Sequence, residues 1–181
     1  VSDKICLHKL LKPLELSVSL ENSINVDMLI SFLTTIKLHP ELRPIFNHQP
    51  SFEKFVSESG KLTKYPLIMQ KLTVLAERYP KIYETSILGA FTCLILCEEL
   101  SLDDETTHTT FVAACARDLG ILHIDPEVVN KKGRFTAGEW KLLQGHVAIG
   151  YHFLTLVPGL PKEIPIAVLE HHERSDGFGY P

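Results

Sequence analysis

No stretch of this sequence reads as a membrane span, because no apolar run reaches the roughly 20 residues that crossing a bilayer needs. The opening residues, VSDKICLHKLL, lack the long uncharged stretch of a secretory leader. Both absences lead to the expectation of a soluble, cytoplasmic chain. An excess of one charge is lacking too. The formal net charge is −4, which argues against a nucleic-acid polymer or an anionic membrane as partner. Cysteine is sparse. Cys6, Cys93, Cys97 and Cys115 make neither a CxxC pair nor a disulfide framework. Cys93 and Cys97 lie one helical turn apart in FTCLILC, which fits small apolar residues on a buried helix face better than a metal or redox pair. Internal repeats and low-complexity linkers are absent as well.

What is present is material for a core. The 181 residues are 45% hydrophobic, ordinary for a globular domain with or without a small appendage. KPLELSVSLE alternates apolar and polar side chains at Leu14, Leu16, Val18 and Leu20, the period of a short strand or extended segment. VDMLISFLTTIKL places Leu29, Phe32, Leu33 and Ile36 on one helical face, and His39-Pro40 ends it. SFEKFVSES reads as a short helix capped by Ser51 and stopped by Gly60.

From about Tyr65 the pattern is helical almost throughout. PLIMQKLTVLAERY opens on Pro66, which is tolerated in a first turn. KIYETSILGAFTCLILCEEL is apolar nearly all round and is expected at the centre of the structure. SLDDETTHTTFVAACARDLGIL has a Ser/Asp capping region at its start and Gly120 as its expected end. FTAGEWKLLQGHVAIGYHFLTLV is expected to form one helix, with Thr136 and Glu139 at capping-box spacing. KEIPIAVLEHHER is the last helix, and SDGFGYP is a turn. The expected class is therefore all-α: residues 66–181 form a helical bundle, and residues 1–65 form an N-terminal accessory region.

Asp118, His146, His171 and His172 fall near the ends or middles of the final helices. One carboxylate and three imidazoles suit Fe, Mn or Zn. Spacing alone leaves open the alternative of a half-exposed histidine pair with no ligand role. His152 falls on a different face from His146. His8, His39, His48, His108 and His123 show no partner pattern and read as surface or packing residues.

The stretch RDLGILHIDPEVVNKKGRFTAGEWKLLQGHVAIG, followed by HHERSDGFGYP, resembles the HD-GYP family of helical metal-dependent phosphodiesterases. The resemblance covers roughly residues 80 to 181. It implies an HD-domain-like bundle, and a domain that continues past GYP. The family's substrate is cyclic di-GMP. Its sites hold two or three metals, commonly iron or manganese, which activate water and neutralise charge on the phosphate. By this resemblance Asp118, His146, His171 and His172 are ligands of one metal.

Other positions depart from the pattern. The histidine of the HD doublet falls at Arg117, an earlier family histidine at Thr85, a glutamate of trimetal members at Lys81, and the lysine after the doublet at Ile121. A further aspartate ligand lies beyond GYP. Half a site remains, holding either one divalent metal or none. A guanidinium cannot replace the missing imidazole, because it stays protonated. Arg117, with Lys81, either sets fixed positive charge where a metal would sit or has drifted toward solvent. The family's loop, here Asp176, Gly177, Gly179, Tyr180 and Pro181, shapes the mouth of the site and is implicated in contacts with diguanylate cyclase-type signalling proteins. The expectation is a catalytically impaired regulatory or protein-interaction module of cyclic di-GMP signalling. The alternative is an active phosphodiesterase with a divergent site.

Overall fold

Proline opens two of the central helices. It occupies the first turn of α2 (Pro66–Arg78) and of α3 (Pro80–Glu99), where its missing N–H would have had no helical partner. The computed structural model describes residues 26, 27, 29–31 and 49–181. The extended segment expected over residues 12–21 lies outside them, as do most of the helix expected over 26–38 and its His39-Pro40 stop. The described residues are helical, with no strand among them. Before α2 comes α1 (Gln49–Leu62). After α3 come α4 (Asp104–Ala116), a 3₁₀ turn (Leu119–His123), α5 (Pro126–Val129), α6 (Ala137–Gln144), α7 (His146–Thr155) and α8 (Glu163–Glu170).

Helix α3 is the hub, packing along α4, α2 and α1. Tyr83, Ser86, Ile87, Ala90, Phe91, Leu94 and Cys97 recur at helical spacing and are buried. Burial is one-sided, however, and Leu96 is 54% exposed. By length and composition this helix could cross a membrane, which corrects the reading that no run is long enough. Its buried face is that of a core helix. Phe55 of α1 meets Phe91 and Phe111 edge-on at centroid distances of 6.0 and 5.4 Å. Part of the expected accessory region thus shares the main core.

Helix starts follow local chemistry. Asp103 caps α4 by accepting from the Thr106 amide at 2.8 Å. Thr136 and Glu139 form the expected capping box of α6. Helix ends follow packing instead. Ser51 does not cap α1. It lies inside the helix, fully buried, and donates to Glu98 at 2.8 Å. Gly60 does not stop that helix, which runs to Leu62, and a side chain at 60 would meet nothing. Helix α4 ends at Ala116, before Gly120. The helix expected over 135–157 is interrupted at Gly145, which ends α6 and precedes α7 while keeping right-handed helical dihedrals of φ −60° and ψ −15°.

Two histidines read as unpartnered have partners. His108 on α4 sets Nδ1 2.7 Å from the buried Glu58 carboxylate of α1. His123 Nε2 lies 3.2 Å from Lys71 Nζ. Burial first, then the Lys71 charge, pushes the His123 pKa down to about 4 from an ordinary 6.5. The unfolded chain therefore takes up the proton first as pH falls. The stabilisation is complete above about pH 6.5 and is lost progressively toward pH 4. At pH 5 we expect His123 to cost about 1 kcal/mol, after allowance for its half-exposed ring. Urea titrations at pH 7 and pH 5 check this: His123→Leu should lose less stability than the parent across the same interval.

Candidate metal centre

Three separated segments meet at one point. Asp118 follows the end of α4, His146 opens α7, and His171 and His172 follow the last turn of α8. The ligand atoms of the three histidines lie within 4.8 Å of one another. Asp118 Oδ1 is 3.7 Å from His146 Nε2 and 3.9 Å from His171 Nε2. His152, expected on another face, is exposed and outside the cluster.

Backbone contacts set the tautomers. His146 Nδ1 lies 2.7 Å from the Leu143 carbonyl, and His171 Nδ1 lies 2.7 Å from the Val168 carbonyl. A carbonyl only accepts, so each Nδ1 carries the proton and each Nε2 presents its lone pair. Those two Nε2 atoms are 3.5 Å apart. Burial lowers the pKa of all three histidines from the ordinary 6.5, so neutral imidazoles prevail at neutral pH. Two lone pairs and a carboxylate oxygen thus converge with no proton between them. That set of acceptors is suited to a cation, and its N and O donors suit Fe, Mn or Zn. The residues present fit a single divalent metal.

The other face of Asp118 is engaged differently. Its Oδ2 accepts from Arg117 Nε at 3.0 Å. The Ser86 hydroxyl lies 3.1 Å from the same oxygen and 3.0 Å from the Ile82 carbonyl, so its one proton serves either. Arg117 does not swing free into solvent. Its side chain is 28% exposed and its guanidinium lies against Gly89 of α3. Thr85 is exposed and spends its hydroxyl on the Lys81 carbonyl at 2.8 Å. Lys81 is exposed as well, and Ile121 is buried in the core. Sequence reasoning missed Ser86 and Gly89. Their signal was a serine and a glycine three apart on one helix.

The closing loop is built around the histidine pair. The Tyr180 ring stacks on His172 at 4.6 Å and 18°. The Tyr180 amide donates to the His172 carbonyl at 3.3 Å. Arg174 Nε donates to Asp176 Oδ1 at 3.0 Å, and the Phe178 amide donates to the same oxygen at 3.1 Å. Gly177 has φ +73°, a conformation that favours glycine. Gly179 is needed for a different reason, the lack of room for a side chain. A Cβ there would sit 2.5 Å from the Arg174 nitrogen and the Glu173 Cα. Phe178 at the tip is 85% exposed, and Pro181 is exposed too.

The HD domain family matches residues 70–181, which include the whole cluster. This chain belongs to the HD domain family. Its relatives agree with the HD-GYP branch that the sequence resembles. The 3'3'-cGAMP-specific phosphodiesterase 1 of Vibrio cholerae is 27% identical over 143 residues, 79% of this chain and 33% of that protein. The cyclic di-GMP phosphodiesterase response regulator RpfG of Xanthomonas campestris pv. campestris is 33% identical over 88 residues, 48% of this chain and 23% of that protein. A cyclic di-GMP phosphodiesterase of Pseudomonas aeruginosa is 26% identical over 123 residues, 68% of this chain and 30% of that protein. The chain thus spans a third or less of the length of these relatives. Within this HD domain, the acceptor cluster and the HD-GYP tail stand on one side of Asp118 and Arg117 stands on the other.

Proposed function

We propose that this chain is an HD-GYP domain of cyclic di-GMP signalling that holds at most one metal and acts by binding rather than by rapid turnover. The observation that carries the reading is the division of Asp118: Oδ1 faces the histidines, while Oδ2 is taken by Arg117. In the resemblance to the family this aspartate bridges two metals. Here a guanidinium fills the second place, and it has no lone pair to offer a metal. Asp118, His146, His171 and His172 would hold the one metal. A divalent ion there would supply Lewis-acid polarisation of a phosphate oxygen. The chain's own part is to fix the two Nε2 lone pairs through backbone carbonyls and to hold His172 under Tyr180.

The loop from Asp176 to Pro181, with Phe178 exposed at its tip, supports a contact with a signalling protein of the diguanylate cyclase type. The names of the relatives favour the second reading, an active cyclic-dinucleotide phosphodiesterase with a divergent site. Elemental analysis of the purified chain, paired with cyclic di-GMP turnover in Mn²⁺ or Fe²⁺, decides between them. One metal per chain or fewer, with slow turnover, is the expected result. Two metals per chain, or brisk hydrolysis lost in His171→Ala, would establish the second reading.

A further inference from the structure

The guanidinium of Arg117 is half used. Nε is spent on Asp118. Among the described residues, Nη1 and Nη2 have no hydrogen-bond partner, which leaves four N–H donors, two of them along the Nη1–Nη2 edge. The group is nonetheless seated. Nη1, Cζ and Nη2 lie 2.9, 3.4 and 3.7 Å from the place a Cβ on Gly89 would take. It therefore rests on bare backbone, held on one side by a carboxylate, with the side chain as a whole 28% exposed. A fixed planar fork with two free nitrogens matches a pair of phosphate oxygens.

The free donors are where an anion would be held. Among the described residues Asp118 is the one carboxylate paired with Arg117, and it lies on the Nε side. A divalent ion among the neighbouring histidines would make the pocket net positive, with Arg117 at its border.

We infer that Arg117, seated over Gly89, is the phosphodiester-binding group of this site, gripping non-bridging phosphate oxygens of a cyclic dinucleotide through Nη1 and Nη2. The inference rests on the one-metal reading above and names the group that would recognise the ligand there. The role is binding and makes or breaks no bond.

The test is calorimetric titration of the Mn²⁺-loaded chain with cyclic di-GMP, its linear dinucleotide and inorganic phosphate. Parent, Arg117→Ala, Arg117→Lys and Gly89→Ala are compared, with metal content and melting temperature measured for each. Arg117→Ala should weaken dinucleotide binding at least tenfold. Arg117→Lys, which keeps the charge and loses the fork, should fall between the two. In Gly89→Ala the new methyl meets only the far end of a flexible side chain. The guanidinium should move, and affinity should fall several-fold while the melting temperature holds or rises, since alanine is the better helix former.

Equal affinity in the parent and Arg117→Ala would overturn the inference. So would no binding by the parent, or inorganic phosphate binding as tightly as the dinucleotide. A loss of metal from Arg117→Ala that accounts for its loss of ligand would do so as well, because the effect would then run through Asp118. Chromatography of the ligand after titration separates the two proposals. Fast cleavage with Arg117-dependent binding defeats only the one-metal reading, and slow cleavage with Arg117-independent binding defeats only this inference.

Discussion

Cyclic di-GMP incubated with this chain and Mn²⁺ or Fe²⁺ is expected to be cut at least about a thousandfold more slowly than by a two-metal enzyme of the family, a barrier about 4 kcal/mol higher. A pair of metals stabilises both the attacking and the leaving oxygen of an in-line displacement. For a pair to form, both oxygens of Asp118 must reach a metal. In this chain Oδ2 already accepts from Arg117 at 3.0 Å and has the Ser86 hydroxyl 3.1 Å away. The second family histidine falls by the resemblance at Thr85, whose hydroxyl is turned to its own helix backbone. Neither group can stand in for an imidazole. Product chromatography over hours, with His171→Ala as the blank, measures the residual rate. Turnover within a few-fold of a two-metal relative would defeat the expectation.

Gly120→Ala should cost about 3 kcal/mol or more of stability, a fall in melting temperature on the order of 10 °C for a chain this size. The added Cβ would stand 2.0 Å from the His146 carbonyl oxygen and 2.8 Å from the Gly150 nitrogen. Both are backbone atoms, so no rotamer change relieves the clash. The 3₁₀ turn and α7 must separate. That movement would carry His146 away from Asp118, since the two lie on opposite sides of the contact. Metal affinity should therefore fall together with stability. Thermal melts with and without chelator read both effects. A variant that melts with the parent and keeps its metal would show that the two segments do not meet as described. Gly89→Ala is the contrast: the atom it meets there is the tip of a side chain, and the fold should tolerate it.

The beginnings of α2, α4 and α6 were legible without coordinates because their signals are local, whereas the start of α1 was not, Ser51 lying inside that helix. Pro66 lacks the N–H that a first turn leaves without a partner, and Asp103 and the Thr136–Glu139 pair act on amides within one turn of themselves. The apolar spacing in 81–100 likewise marked the hub helix, since periodicity is a property of the chain. The order of Asp118, His146, the histidine pair and the GYP tail was readable as a motif, and with it the family. Helix ends were not. Gly60 looks like a stop but fills the last turn of α1, because nothing presses on it. Gly120 looks like a stop but is a contact, because the carbonyl of a residue 26 positions later lies where its side chain would be. The site divides the same way. Residue types alone determined that a carboxylate and three imidazoles were available and that Arg117 could not ligate. Only the packing of α3 against α4 decided that Arg117 folds onto Gly89 and takes one oxygen of Asp118, because which face of a carboxylate meets which neighbour depends on atoms brought together across 28 residues of chain.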